Sequence, residues 1–78
     1  MEISLTDLGM GKLAIIKRIE GGHGFQRRIT SMGMRVGKEV RKVTAQPLRG
    51  PIVVEVEGCR TALGRGMAAK IIVEEAPE

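Results

Sequence analysis

The chain has 78 residues, 42% of them hydrophobic, with thirteen Lys/Arg against nine Asp/Glu and a net charge of +4. That length fits one domain with a thin core and excludes a doubly wound nucleotide-binding enzyme. The single cysteine, Cys59, excludes an internal disulfide and the paired cysteines of zinc ribbons, so a reducing compartment is the simpler setting.

Along the chain, Leu8-Gly9-Met10-Gly11 reads as a glycine-marked turn, followed by a half-buried strand over residues 12–20. Leu13, Ile15 and Ile19 alternate on one of its faces; Ala14, Ile16, Arg18 and Glu20 alternate on the other. Gly21-Gly22 breaks the pattern. Phe25, Ile29 and Met32 then recur at helical spacing, which predicts a short amphipathic helix over 23–32 closed by Gly33. Such a short helix needs a sheet beneath it to persist. Residues 38–45 read as a strand, but Val40 and Val43 lie three apart, which calls for a β-bulge. A loop over 47–51 leads to the cleanest alternation in the chain, Ile52, Val54 and Val56. The segment 57–60 reads as a tight hairpin into a strand from Cys59 to Leu63. A helical turn over 64–69 and a last strand at 71–73 complete the series. The fold class is therefore mainly β with one or two short helices. About five short, regularly spaced strands with one inserted helix suit a small barrel, which removes exposed sheet edges. Residues 1–75 form the single domain, and 76–78 read as a frayed tail.

No apolar run approaches the about 20 residues of a membrane span, and the start of the chain lacks the basic-then-apolar pattern of an export signal, so a cytoplasmic protein without membrane insertion is expected. The charge is uneven. Residues 17–49 carry nine basic and two acidic side chains, a local +7, while both flanks are slightly acidic. Such a stretch suits an acidic protein surface, nucleic-acid phosphates or an anionic membrane face.

The patterns that would signal catalysis fail. Gly9-Met10-Gly11-Lys12 lacks the first glycine and the trailing hydroxyl of a P-loop. Gly64-Arg65-Gly66-Met67-Ala68-Ala69 matches a dinucleotide fingerprint in spacing alone, because the chain ends before the βαβ unit it requires. No nucleophile has a credible base and orienting group, so no enzyme activity and no cofactor are expected. His23 and Cys59 are weak candidates for transition-metal binding, and nothing in their spacing brings them together. The five methionines read as core filler in a chain whose one aromatic is Phe25. One Phe is also a poor platform for stacking bases or for lining a groove for Pro-rich peptides, so nucleic acid is a disfavoured partner.

The run Ile29-Thr30-Ser31-Met32-Gly33-Met34-Arg35-Val36-Gly37 resembles the L-x-x-[LM]-G-[LM]-x-x-G signature of FeoA domains, with Arg28 at a customary basic position. Pro47-Leu48-Arg49-Gly50-Pro51-Ile52 is similar to the family's P-L-G-x-P loop with an arginine shifted into it. The series Leu63, Ala68, Ile71-Ile72-Val73 is similar to its ending. Gly64-Arg65-Gly66 departs from the Leu-Arg usual there. The resemblance covers about residues 3–75 and implies an SH3-like β-barrel with an added helical segment. It also implies an accessory role in ferrous-iron transport, through contacts with the cytoplasmic GTP-binding domain of the FeoB permease. The same domain ends some iron-dependent repressors, which keeps a nucleic-acid-binding or metal-binding regulatory module as the alternative.

The expected partner surface comprises Arg27, Arg28, Arg41, Lys42, Leu48 and Arg49. Gly33, Gly37, Gly50 and Gly58 are assigned to backbone geometry. An exposed sheet edge in so small a barrel also allows a homodimer.

Overall fold

The computed structural model describes residues 1–45 and 50–77, with the side chain of Ala45 excepted. The elements in chain order are β1 (Glu2–Ser4), a 3-10 turn (Leu5–Asp7), β2 (Leu13–Ile19), α1 (His23–Ser31), β3 (Glu39–Ala45), β4 (Ile52–Val56), β5 (Cys59–Leu63), α2 (Arg65–Ala68) and β6 (Ile71–Glu75). The strands form one antiparallel sheet in the order β1-β6-β2-β3-β4-β5. Among the described residues the sheet therefore has six strands where the sequence suggested about five, and its ends, β1 and β5, do not pair with each other. The added strand is β1, three residues with a single branched aliphatic, Ile3, too short to show a period.

The core is built from one face of each strand. Ala14 and Ile16 of β2, Val40 of β3, Ile52 and Val54 of β4, Leu63 of β5 and Ile71 and Val73 of β6 are all buried. In β2 the core face is therefore that of Ala14 and Ile16, while Leu13 and Ile15 remain half-buried. A register shift between Ile16 and Arg18 lets Ile19 pack against the core again. The bulge expected in β3 is present, with the β3–β4 register shifting between Lys42 and Thr44. Ile29 of α1, Met34 beyond it, Leu5 and Leu8 around the 3-10 turn and Ala68 of α2 cover the sheet. Phe25 and Met32 pack against the rim of this cluster and are only partly buried. The Phe25 ring instead receives the Lys70 ammonium, 5.0 Å from its centroid.

Two turns show why these residues specify this path. At the end of α1, Gly33 takes φ 90°. Its N–H donates to Thr30 O at 2.9 Å, and Met34 N–H donates to Ile29 O at 3.3 Å. This is a Schellman motif, and the contact it requires is supplied by the buried pair Ile29 and Met34. Between β4 and β5, Glu57 (φ 51°) and Gly58 (φ 81°) both lie at positive φ, as a two-residue type I′ hairpin demands. At the other terminus Ala76 N–H donates to Leu13 O at 2.9 Å, so pairing with β2 extends one residue past β6.

Candidate functional site

The basic stretch separates into distinct environments. Lys17 pairs with Glu74 at 3.3 Å, Lys38 with Glu57 at 2.7 Å and Arg60 with Glu55 at 3.3 Å. Arg18 is shared between Glu2 and Glu20. Four exposed arginines remain without a carboxylate partner among the described residues: Arg27 and Arg28 on α1, Arg35 in the turn that follows it, and Arg41 on β3, whose guanidinium is held by a backbone carbonyl. Helix α1 carries no acidic residue, and Arg28 occupies its last turn, where a cation complements the carbonyl end of the helix. Ser31 Oγ donates to Arg28 O at 2.7 Å there. Gly33 and Gly37, both at positive φ, bracket Met34-Arg35-Val36. Met34 plugs the core, while Arg35 and Val36 project outward, Val36 with 63% of its surface exposed. The positive field at this end of the molecule reaches the β4–β5 hairpin. Glu57 has its carboxyl held below the usual value, chiefly by Lys38 and further by Arg35.

The other expected contact residues lie elsewhere. Arg41 is exposed and pairs with Leu13 at the start of β2, whereas α1 leaves the far end of that strand. Its Nη1 donates to Gly11 O at 2.9 Å, and it lines an open cavity of about 220 Å³ with Lys12, Glu75 and Pro77. Lys42 requires a correction as a surface residue. It is 5% exposed, and its Nζ donates to the carbonyl oxygens of Thr6 and Leu8, each at 2.8 Å. Regular strand alternation before the bulge puts Lys42 on the same inward face as Val40, two residues earlier, so the side chain runs under the 3-10 turn and not outward beside Arg41. Burial lowers its pKa, with Arg65 adding to the effect and Asp7 opposing it. Leu48 and Arg49 lie outside the described residues. Gly33, Gly37 and Gly58 have φ of 90°, 93° and 81°, and Gly50 borders the segment that is not described.

His23 is exposed at the start of α1, and Cys59 is exposed at the start of β5. Among the described residues no three His, Cys, Asp or Glu side chains converge as a metal site would require. No helix among the described residues is long and apolar enough to cross a membrane. Sequence reasoning passed over Arg35 and Val36 as contact residues, although two turn glycines four apart already suggested that the residues between them are displayed.

The FeoA domain model matches residues 3–75. The chain belongs to the FeoA domain family. It is 38% identical over 66 residues to the Methanocaldococcus jannaschii protein assigned as Fe(2+) transport protein A, covering 85% of this chain and 78% of that one. It is 40% identical over 70 residues to a Porphyromonas gingivalis fusion of Fe(2+) transport protein A with the Fe(2+) transporter FeoB, covering 90% of this chain and only 8% of the fusion. Among solved structures, the crystal structure of an iron uptake regulatory protein, FeoA, superposes with a TM-score of 0.89 at 32% identity, covering 97% of this chain and 99% of that one. The zinc complex of Stenotrophomonas maltophilia FeoA, described as a prokaryotic SH3 domain protein, superposes with a TM-score of 0.80 at 29% identity, covering 92% and 89%. The FeoA fold of this chain is thus SH3-like.

Proposed function

We propose that this FeoA protein is a cytoplasmic, non-enzymatic accessory of ferrous-iron uptake. In this reading it docks on the cytoplasmic GTP-binding domain of a FeoB-type transporter through Arg27, Arg28 and Arg35 around the exposed Val36. The observation that carries the association is the Porphyromonas gingivalis relative, in which the two functions share one polypeptide. A chain fused to its partner works at high effective concentration, and separate chains must recover that contact by affinity. The choice of surface rests on charge accounting. Most other basic side chains have a partner within the protein, so desolvating them at an interface would sacrifice an existing pair. The arginines around α1 have none to lose. Arginine suits this use because its planar fork can bind a partner carboxylate in two places at once.

The test titrates the isolated cytoplasmic domain of the transporter with this protein. The double variant Arg27→Glu/Arg28→Glu is expected to weaken binding about tenfold or more, and the wild-type affinity is expected to fall as salt rises from 0.05 to about 0.5 M. Unchanged affinity in the double variant would remove this surface from the proposal.

A further inference from the structure

The two ends of the sheet differ. Strand β1 is three residues long and carries Glu2, which is engaged by Arg18. Strand β5 is five residues long, contains no proline and pairs with β4 in unbroken register from Ile52↔Leu63 to Val56↔Cys59. Among the described residues neither a proline nor a bulge blunts this edge, and its one charge, Arg60, is already held by Glu55.

The type I′ turn fixes which backbone groups of β5 are left over. In such a hairpin the closing pair, Val56 and Cys59, exchanges both of its hydrogen bonds. The pairs Val54/Thr61 and Ile52/Leu63 then do the same, and the N–H and C=O groups of Arg60 and Ala62 face away from β4. Among the described residues no hydrogen bond reaches those four groups. Arg60 and Ala62 are both exposed.

We infer that β5 is a self-complementary edge on which a second copy of this chain pairs antiparallel, about a two-fold axis through Thr61. Arg60 then stands opposite Ala62 of the second copy as a hydrogen-bonded pair, twice over by symmetry, so all four open groups are satisfied. Thr61 meets Thr61 of the second copy as the close, non-hydrogen-bonded pair between them, and Cys59 faces Leu63. The charges permit this register. Each Arg60 faces an alanine and keeps its own Glu55, and the two Arg60 residues are diagonal neighbours about 7–8 Å apart. A two-fold axis makes the contact closed, so it yields dimers and not fibres. Two five-residue edges bury little surface, so the association belongs at the weak end, with Kd on the order of 0.1–1 mM.

Sedimentation equilibrium on the full chain under reducing conditions, from micromolar to about 1 mM, provides the first test. The expected result is a monomer–dimer equilibrium. Ala62→Lys puts a second cation opposite Arg60 and is expected to raise Kd about fivefold; Ala62→Glu puts an anion there and is expected to lower it by a similar factor. Because Ala62 is exposed, neither change threatens the fold. Cross-linking gives an independent readout. In Cys59→Ser/Thr61→Cys, the new thiols would sit on Cα atoms about 4.5 Å apart, within disulfide reach, and mild oxidation should yield a covalent dimer. A monomer at every concentration would overturn the inference. So would a dimer that ignores the charge at position 62 and does not cross-link through position 61.

Discussion

Lys42 shows how far one residue's role depends on which face of a strand it occupies. A lysine next to Arg41 in a basic stretch reads as surface charge, and most lysines are exposed. Here it is buried, with its ammonium bridging Thr6 O and Leu8 O at 2.8 Å each. It thereby ties β3 to the 3-10 turn. Its backbone adds to the same junction, since Gly11 N–H donates to Lys42 O at 2.6 Å. The signal was present in the sequence. With Val40 facing inward, period-2 alternation puts Lys42 on the inward face as well, ahead of the bulge at Val43. Lys42→Met keeps the length of the side chain but leaves two carbonyls without their donor. It is expected to destabilise the protein by about 1–3 kcal/mol, read as a lower urea midpoint at unchanged slope. A midpoint within error of the wild type would show that the bridge contributes nothing net.

At the scale of elements, α1 and its cap carry the display of the candidate surface. The helix was legible because Phe25, Ile29 and Met32 repeat at helical spacing, and β4 because Ile52, Val54 and Val56 alternate. Strand β1 and the 3-10 turn were not legible, since three-residue segments carry no measurable period and are held in place by β6 and the Lys42 bridge. The core face of β2 was ambiguous because both of its faces carry aliphatics. The order β1-β6-β2 is a long-range pairing that no local pattern encodes. The site was legible only in part for the same reason. Arg27 and Arg28 follow from the helix pattern, whereas their separation from Arg41 follows from strand pairing. Gly33 is the hinge of this arrangement. Alanine there must hold φ 90°, and although no atom lies within 4 Å of where its Cβ would be, the left-handed backbone itself is penalised. Gly33→Ala is expected to cost about 1–2 kcal/mol in chemical denaturation. It should also weaken transporter binding by shifting Arg35 and Val36, a coupling that a change in stability alone would not produce.

Across the whole molecule, acidic residues act mainly as internal ties between strands, and none of the ion pairs among the described residues reaches Arg27, Arg28 or Arg35 at the α1 end. Glu74 is the most connected of them. Lying on β6, it meets Lys17 of β2 at 3.3 Å and the chain's own amino terminus, next to β1, at 3.6 Å. Three adjacent strands therefore share one carboxylate. Hydrogen bonding and attraction from Lys17, with a further contribution from the terminal amine, hold its pKa below the ordinary 4.5. The consequence for stability has a definite sign. With the folded value below the unfolded one, the unfolded chain takes up the proton first as pH falls. The contribution is fully present above about pH 4.5 and is lost as pH drops through the folded value. Glu57, held low by Lys38 and Arg35, loses its contribution in the same acid window. Both side chains are solvent-exposed, so screening keeps each effect small and removes it at high salt. Stability measured from pH 7 down to pH 3 at low ionic strength should therefore decline below pH 4.5. The decline should be shallower in Glu74→Gln, and the difference between the two proteins should vanish in 1 M salt. A Glu74→Gln curve parallel to the wild type at low salt would show that these three strands are held by their backbone ladder and buried aliphatics alone.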